Sequence, residues 1–333
     1  MASLQNCDLA QLPSFSLIVE TENLSSAELD GLTQCLNSLL NQDIPITQAN
    51  EVLITESGDV PEETIAQLRI DYPWLTVQTI QANTDYYEAK MKGVGLTTGE
   101  VIIFCDSDCI YESGWLRNLL LPFSQTPQIQ VVAGETSLSI RGAYDLAMAL
   151  SYIFPRFSGR STLQKGSYYY CNNVAFRRNC LVAQPIPLDL PIYRGNCVVH
   201  GQQLTRQGNP VWQQPLARAC HAAPNGLLHF FWRFLLLGSD AYSVSRLQHR
   251  DNINVLQGLK ILVRAGLNKI QEVKERFYPV LTEDPRRFAY LPFALPIVLL
   301  SLVLFYLGAL IAYLKPMFLL NWYNKLDASF KIS

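Results

Sequence analysis

Two aspartates one residue apart, Asp106 and Asp108, are the side chains in this sequence best placed to do chemistry. They follow VIIFC at 101–105, an apolar run that predicts a buried strand near the centre of a sheet. Carboxylates at the end of such a strand project into the cleft above the sheet. Such oxygen ligands suit Mg²⁺ or Mn²⁺, hard cations that also bind diphosphate oxygens. The spacing therefore predicts a divalent-cation site that holds a diphosphate.

Strands and helices alternate in front of these aspartates. Apolar runs predict strands, and helical spacing predicts helices, in the order strand 14–19, helix 27–40, strand 51–55, helix 61–70, strand 77–80, helix 86–96 and strand 101–105. This alternation is typical of an α/β fold with a doubly wound, mainly parallel sheet. Ligands of such sheets bind at the carboxyl ends of the strands. Thr21, Glu56 and Asp106 each fall just past such an end.

The pattern is less regular in the second half of this predicted domain. We expect strands at 131–140, 168–176 and 211–219, with helices at 145–154 and 202–207. The last of these strands leads to His221. None of the eight cysteines forms a CxxC pair or a zinc-binding spacing, so we expect reduced thiols that pack as small core residues.

Charge is distributed unevenly along the chain. Only 16% of the 333 residues are charged, against about 25% in an average soluble protein. Residues 1–224 hold 13 basic and 21 acidic side chains, whereas residues 225–333 hold 13 basic and 7 acidic ones. An acidic domain followed by a basic, apolar tail favours a membrane surface over nucleic acid as a partner. An acidic domain also needs a metal ion to hold a phosphate.

The tail contains one stretch that is long enough to cross a membrane. Residues 288–314 carry no charge, and as a helix of about 40 Å they would span the ~30 Å hydrocarbon core. A buried core helix is the alternative interpretation. Basic residues are more frequent before this stretch than after it, and residues 1–13 contain no signal-peptide pattern, so we expect a single-pass protein with a cytosolic catalytic domain. The amphipathic stretch at 252–277 suits either the headgroup region or a docked surface helix.

Several motifs, in order and at matching spacing over residues 14–224, resemble the family 2 glycosyltransferases. They are SLIVETEN at 16–23, EVLITESG at 51–58, AKMKG at 89–93 with GE at 99–100, the strand running into DSD at 106–108, NVAFRR at 173–178, and a glycine, proline and histidine at 208, 215 and 221. The resemblance implies the GT-A fold and transfer of a sugar from a nucleotide-diphosphate donor. The predicted organisation is a nucleotide-sugar-binding domain at 14–224, an amphipathic helical region at 225–287, a transmembrane helix at 288–314 and a basic tail at 315–333.

The resemblance also implies roles for individual residues. Those implied to bind the nucleotide sugar are Thr21, Glu22, Glu56, Lys90, Asp106 and Asn173. Asp108 and His221 are implied to hold the divalent cation, and Asp106 either the ribose or the metal. The implied partners are a nucleotide-diphosphate sugar, a lipid-linked or envelope glycan acceptor, and a membrane.

The motif expected to supply the catalytic base is altered. The family usually has Glu-Asp about eleven residues before the glycine matched by Gly208, and this chain has Asn196 and Cys197 there. An inverting transfer needs a base for the proton of the acceptor hydroxyl. The candidates are His200, Asp189 and Glu135. Two other hypotheses stay open, namely a membrane protein that binds nucleotide sugars without catalysis and, with less support, a nucleotidyltransferase.

Overall fold

The computed structural model describes residues 12–21, 29–58, 60–82, 84–248 and 254–330. The strands are β1 (Phe15–Glu20), β2 (Glu51–Glu56), β3 (Leu75–Thr79), β4 (Val101–Asp106), β5 (Cys109–Tyr111), β6 (Val131–Leu138), β7 (Gln164–Gly166), β8 (Asn173–Arg177) and β9 (Val211–His221). The helices are α1 (Leu29–Leu40), α2 (Glu62–Asp71), α3 (Tyr86–Gly95), α4 (Trp115–Gln125), α5 (Ala143–Ser151), α6 (Arg178–Ala183), α7 (Asn196–Arg206), α8 (Leu227–Leu247), α9 (Val255–Glu283), α10 (Leu291–Leu314) and α11 (Phe318–Phe330).

The described strands form one nine-stranded sheet in the order β3-β2-β1-β4-β8-β6-β9-β5, with β7 paired to β9. The four strands β3, β2, β1 and β4 run parallel, whereas β8 is antiparallel to both β4 and β6. Strands β1 and β4 are buried along their whole length because helices cover both faces of a doubly wound sheet. The predicted α/β fold with a mainly parallel sheet is therefore confirmed.

One predicted strand begins later than we expected. The sequence predicts a strand from 168 to 176, but β8 begins at Asn173. The three preceding tyrosines alternate in burial as a strand would. Their backbone, however, has other partners, since the Tyr168 carbonyl accepts a hydrogen bond from the Gln213 side chain and the Tyr170 carbonyl accepts one from the Asn173 N–H at 3.1 Å. Alternating burial alone did not establish strand pairing here.

The chain divides into two compact units whose boundaries differ from the predicted domains. The first contains residues through Thr136 together with Phe157–Leu188 and His200–His221. The second contains Ser137–Arg156, Asp189–Val199 and everything from Ala222 onward. Two segments of the predicted 14–224 domain thus belong to the second, helical unit.

The helical unit is held together by close helix contacts at glycines. A Cβ at Gly238 in α8 would overlap the Phe305 carbonyl of α10, and a Cβ at Gly308 in α10 would overlap the Leu235 carbonyl of α8. Small residues let helix backbones approach in this way, a packing common among membrane helices. Among the described residues, one helical stretch, Pro285–Leu314, is long and apolar enough to cross a membrane.

Candidate active site

Three neighbouring parallel strands end side by side. Strand β1 lies between β2 and β4, and Glu20 at its end pairs with Thr55 on one side and Asp106 on the other. The structure therefore brings Thr21, Glu56 and Asp106 to one edge of the sheet. Glu22, which the resemblance places at the same edge, lies outside the described residues.

Thr21 and Glu56 are held by backbone groups at this edge. The Thr21 hydroxyl is fully buried and donates to the Thr55 carbonyl at 3.3 Å. One oxygen of Glu56 accepts from the backbone N–H groups of Gly58 at 2.5 Å and Val60 at 3.1 Å. Gly58 has a φ of 95°, which a glycine adopts without strain, so the turn can fold back onto this carboxylate. Both polar groups are therefore fixed in place before any ligand arrives.

His221 reaches Asp108 through the pairing of two distant strands. Strand β5 pairs with β9 so that Cys109 lies opposite His221. The Nε2 atom of His221 lies 3.3 Å from Oδ2 of Asp108, and the two side chains are only 7% and 8% exposed. Together with Cys109, these residues offer ligand atoms that all lie within 4.8 Å of one another. The structure thus places the two residues predicted to hold a metal ion in one small site.

The chemistry of these three groups selects two of them as ligands for a hard cation. Burial, followed by the charges of Asp108 and Asp106, raises the pKa of the Cys109 thiol well above its usual value, so the thiol stays protonated. A neutral thiol is a poor ligand for Mg²⁺ or Mn²⁺, which prefer oxygen. The carboxylate of Asp108 and the imidazole of His221, at a separation that two ligands of one ion can adopt, fit such a cation.

Asp106 forms a buried ion pair. Its Oδ1 atom accepts from the Lys90 ammonium at 2.7 Å, and both of its oxygens lie 2.8 Å from the Tyr86 hydroxyl, which donates to them. Lys90 also donates to the Cys105 carbonyl at 2.6 Å and is completely buried. The Asp106 backbone N–H in turn donates to the Tyr111 hydroxyl at 3.0 Å. This network fixes the strand end that carries both aspartates.

Lys90 remains charged in the core because of its partner. Burial alone lowers the pKa of a lysine, but the adjacent Asp106 carboxylate outweighs it and raises the pKa of Lys90 above its ordinary value. The resemblance implies that Lys90 touches the nucleotide. The geometry instead favours a supporting role, in which Lys90 neutralises Asp106 from beneath the site. Tyr86 was missed by the sequence reasoning, although its position four residues before Lys90 puts both on one face of α3.

Asn173 is committed to protein partners. Its Oδ1 accepts from the Trp115 indole at 2.8 Å, and its amide nitrogen donates to the carbonyls of Glu135 at 3.0 Å and Ala217 at 3.1 Å. The side chain is fully buried, and a Cβ at Gly134 would overlap it. Asn173 thus links β8 to both β6 and β9. This geometry does not favour the contact with the nucleotide sugar that the resemblance implies.

His200, a candidate base, is also enclosed. It is 1% exposed, and its ring nitrogens contact the Tyr169 hydroxyl at 2.7 Å and the Gln184 carbonyl at 2.9 Å. Burial lowers the pKa of His200 to about 4. Since both nitrogens have protein partners and the ring is a weak base, the geometry disfavours His200 as the group that takes the acceptor proton.

Replacing His200 with glutamine should therefore change the pH dependence of stability. A histidine whose folded pKa is about 4 and whose unfolded pKa is about 6.5 binds its proton more readily when unfolded. Its contribution to the free energy of unfolding is present above pH 6.5 and is lost as the pH falls toward 4, up to about 3 kcal/mol. We expect wild type to lose more stability than His200→Gln between pH 7.5 and pH 4.5, measured by urea unfolding. Identical losses in the two proteins would contradict this assignment.

The remaining candidates for the catalytic base differ in exposure, hydrogen bonding and position in the sheet. Asn196 and Cys197, which occupy the family's acidic positions, are 4% and 7% exposed. Asp189 is exposed. Glu135 is half-buried on β6, and its carboxylate accepts the Ser158 N–H at 2.9 Å. The register of β8 with β4, continued by one residue, brings Asp106 opposite Asn172. The register of β8 with β6, continued by two residues, brings Glu135 opposite Asn172 from the other side. Glu135 is therefore the acidic candidate on the same sheet row as Asp106.

Comparison with known proteins identifies relatives with this architecture. Residues 25–181 match the profile of Glycosyl transferase family 2. A curated relative, the glycosyltransferase AglE of Haloferax volcanii, is 23% identical over 192 residues, which cover 57% of this chain and 59% of AglE. The chain thus matches less than two thirds of that relative's length.

Solved structures show the same fold. The mannosyltransferase PcManGT from Pyrobaculum calidifontis, in complex with GDP-Man and Mn²⁺, superposes with a TM-score of 0.58 at 15% identity, covering 91% of this chain and 87% of PcManGT. GalNAc-T7 with UDP, GalNAc and Mn²⁺ superposes with a TM-score of 0.51 at 13% identity, covering 81% of this chain and 58% of GalNAc-T7. These similarities establish the GT-A type of fold.

Proposed function

We propose that the chain, whose residues 25–181 match Glycosyl transferase family 2, is a membrane-attached glycosyltransferase that uses a nucleotide-diphosphate sugar and a divalent cation. The observation that carries this proposal is the pairing of Asp108 with His221 beside the ends of three parallel strands. These strand ends are where α/β sheets bind ligands. The solved relatives of this fold hold GDP-Man or UDP together with Mn²⁺.

We assign the donor to the edge that carries Thr21 and Glu56, with Asp106 and Asp108 on the phosphate side. Asp108 and His221 would hold the Mg²⁺ or Mn²⁺ ion, which when bound supplies positive charge against the leaving diphosphate. The Lys90 ammonium, 2.7 Å from Oδ1 of Asp106, balances the charge of that carboxylate, which limits the negative charge that the diphosphate meets. Tyr86 holds the orientation of the same carboxylate. The chain's own residues thus bind and orient the donor.

We propose Glu135 as the base of an inverting transfer. Its carboxylate would take the proton of the acceptor hydroxyl while the hydroxyl oxygen attacks the anomeric carbon and the nucleotide diphosphate leaves. Two observations support it, namely its place in the sheet row of Asp106 and the Ser158 N–H that orients its carboxylate.

Replacing Glu135 with glutamine should lower kcat about 10² to 10⁴-fold, because an amide cannot accept the proton. The Ser158 N–H can still bond to the amide oxygen, so donor affinity and unfolding temperature should change little. The measurement is initial rate and donor Kd for Glu135→Gln beside Glu63→Gln, an exposed glutamate in the first turn of α2. Unchanged kcat in Glu135→Gln would return the role of base to Asp189 or to a group supplied by the acceptor.

We propose that α10 crosses the membrane. Its buried positions include small residues at intervals of seven, Ala294, Ser301 and Gly308, whereas Phe293 and Leu299 are 71% and 62% exposed. The first half of α9 is arranged likewise, with Gly258, Ala265 and Gly266 buried and large apolar side chains exposed. Helices that turn large apolar residues outward are suited to lipid rather than water. The excess of basic residues before α10 supports a cytosolic location for the preceding side and thus for the catalytic domain.

One experiment tests donor use and attachment together. Membranes from cells that express the chain are washed with alkaline carbonate and incubated with a panel of nucleotide-diphosphate sugars and Mn²⁺, and release of the nucleoside diphosphate is followed. We expect turnover of one donor in the washed pellet, its loss with EDTA, and an acceptor that is a lipid-linked or envelope glycan. Turnover that does not depend on metal would contradict the proposed role of the cation. Activity found only in the supernatant would contradict the proposed membrane anchor.

The altered acidic motif supports a second candidate. Asn196 and Cys197 stand where the family has its base, so the chain could bind a nucleotide sugar without transferring it. Saturable donor binding with no turnover on any acceptor fraction would favour this second function.

A further inference from the structure

The helical unit contains a buried arginine with a hydrogen-bond donor that the protein does not satisfy. Arg233 of α8 is 8% exposed, and its Nε–H has no hydrogen-bond partner. None of the ion pairs found among the described residues involves Arg233. A guanidinium has five N–H donors, and each buried donor without a partner costs about 1–3 kcal/mol. Such an arginine needs a ligand that brings acceptor oxygens.

The rings of two tyrosines lie beside this guanidinium. The Cζ atom of Arg233 lies 5.5 Å from the centre of the Tyr193 ring and 6.0 Å from that of Tyr152. Contacts with ring faces stabilise the charge but accept none of the in-plane N–H groups. The two rings therefore stabilise the charge of Arg233 without satisfying its N–H groups.

The carboxylate in this region is already engaged. Asp240, two turns along α8 from Arg233, accepts the backbone N–H groups of Tyr193 and Arg194, each at 2.7 Å. Asp240 thus fixes the backbone of the loop that carries Tyr193 against α8. Asp240 also interacts electrostatically with Arg194 and Arg233.

The surroundings of Arg233 are those of a membrane–water interface. Its chain neighbour Trp232 packs edge-on against Trp322, at 5.4 Å between ring centres, and against Tyr323 at 5.7 Å. Tyr323 also packs on Tyr193 at 5.1 Å, and Trp322 is 51% exposed. Clustered tryptophans and tyrosines are typical of the level at which lipid headgroups lie. Trp322 and Tyr323 belong to α11, the helix that follows the candidate span.

We propose that Arg233 is the centre of a binding site for the phosphate group of a lipid. The planar fork of arginine matches two phosphate oxygens at once, which an ammonium group cannot do. The charge of Arg233 favours an anion, and the aromatic cluster, in which Trp322 is 51% exposed, favours one that carries an apolar chain. The phosphate could belong to a lipid-linked phosphomonoester or to the phosphodiester of a bilayer lipid. The site is separate from the Asp108–His221 pair, and binding at it does not require that the chain transfer a sugar.

The test titrates the full chain, purified in dodecyl maltoside with EDTA so that no metal ion holds phosphate, and follows tryptophan fluorescence. The probes are dodecyl phosphate, dioctanoyl phosphatidylglycerol, dodecanol and inorganic phosphate. We expect saturable binding of dodecyl phosphate, and a Kd at least tenfold higher in Arg233→Gln, which corresponds to about 1.4 kcal/mol. A lower Kd for dodecyl phosphate than for phosphatidylglycerol would identify the ligand as a phosphomonoester. A lower Kd for phosphatidylglycerol would identify it as a bilayer lipid.

Arg264→Gln is the matched control, because Arg264 is an exposed arginine of the same unit, on α9. It should bind dodecyl phosphate as wild type does. If Arg233→Gln does not fold, Arg233→Lys decides, since it keeps the charge beside the rings and removes only the fork. Equal Kd values in wild type and the Arg233 variants would show that Arg233 is a structural cation. If dodecanol binds as tightly as dodecyl phosphate, the phosphate part of the proposal is overturned. If inorganic phosphate binds as tightly as dodecyl phosphate, the lipid part is overturned.

Discussion

Replacing Asp108 with alanine is expected to lower kcat about 10³-fold while leaving the protein folded. Asp108 is the carboxylate of the pair with His221, and the loss of its charge removes both a cation ligand and the positive counter-charge that the cation brings to the diphosphate. Electrostatic stabilisation of a leaving group in a dry site is worth several kcal/mol, and 10³-fold corresponds to about 4 kcal/mol. The measurement is the initial rate over a range of Mn²⁺ concentrations.

His221→Asn should behave differently from Asp108→Ala. Imidazole is a neutral ligand, so its loss weakens metal affinity without removing the charge that attracts the ion. We expect the initial rate of His221→Asn to fall 10 to 100-fold and to be restored in part by excess Mn²⁺. Excess Mn²⁺ should not restore the initial rate of Asp108→Ala. Asp71→Ala, an exposed aspartate at the end of α2, is the control and should keep wild-type activity. If Asp108→Ala retained wild-type kcat, the proposed cation site and the proposed use of a diphosphate donor would both be abandoned.

The first half of the fold was accessible from the sequence because its strands are buried on both faces. Such strands appear as continuous apolar runs, and the helices between them appear as a change of period. The strand ends then followed from the turn residues, which is why Thr21, Glu56 and Asp106 could be placed at one edge of the sheet. Neighbouring strands joined by short helical connections leave few alternative arrangements.

The contact between Asp108 and His221 was not accessible in this way. The two residues are far apart in the chain, and the antiparallel pairing of β5 with β9 that joins them leaves no periodic signal in a three-residue strand. Only the resemblance to a family suggested the pair. The departure of 137–156 and 189–199 into the helical unit was equally hidden, because membership of a compact unit depends on tertiary packing rather than on local composition.

The enclosure of Lys90 and His200 shows a further limit. Charged and titratable side chains near a predicted strand end are expected to face a ligand, since lysine is rarely buried without a partner. Here the partner is Asp106, and the close approach of α3 to β1 leaves no room for water: a Cβ at Gly93 would lie 2.8 Å from the Ile18 side chain. A sequence shows the charged residue and the small residue separately, and their combination becomes visible only in the packed structure.

The second prediction with a large expected effect concerns the buried ion pair of Lys90 and Asp106 and the stability of the fold. Lys90→Met should lower the free energy of unfolding by about 3–5 kcal/mol, because it leaves the Asp106 charge in the core without its partner. The raised pKa of Lys90 means that its contribution is fully present below the ordinary lysine pKa of about 10.4 and is lost only as the pH rises through the folded value. Lys90 therefore stays charged in the wild type at both pH 6 and pH 9.

Lys92→Met is the matched control, two residues along the same helix. Lys92 forms an exposed i,i+4 pair with Glu88 at 3.0 Å, and such pairs contribute about 0.3–0.5 kcal/mol. Urea unfolding of the detergent-solubilised chain, followed by the fluorescence of tryptophans including the buried Trp115, measures both variants. The double variant Lys90→Met/Asp106→Asn should lose less than the sum of its single variants, since it removes both charges together. Additive losses, or a Lys90→Met protein as stable as Lys92→Met, would show that the pair does not support the strand end on which the two aspartates lie.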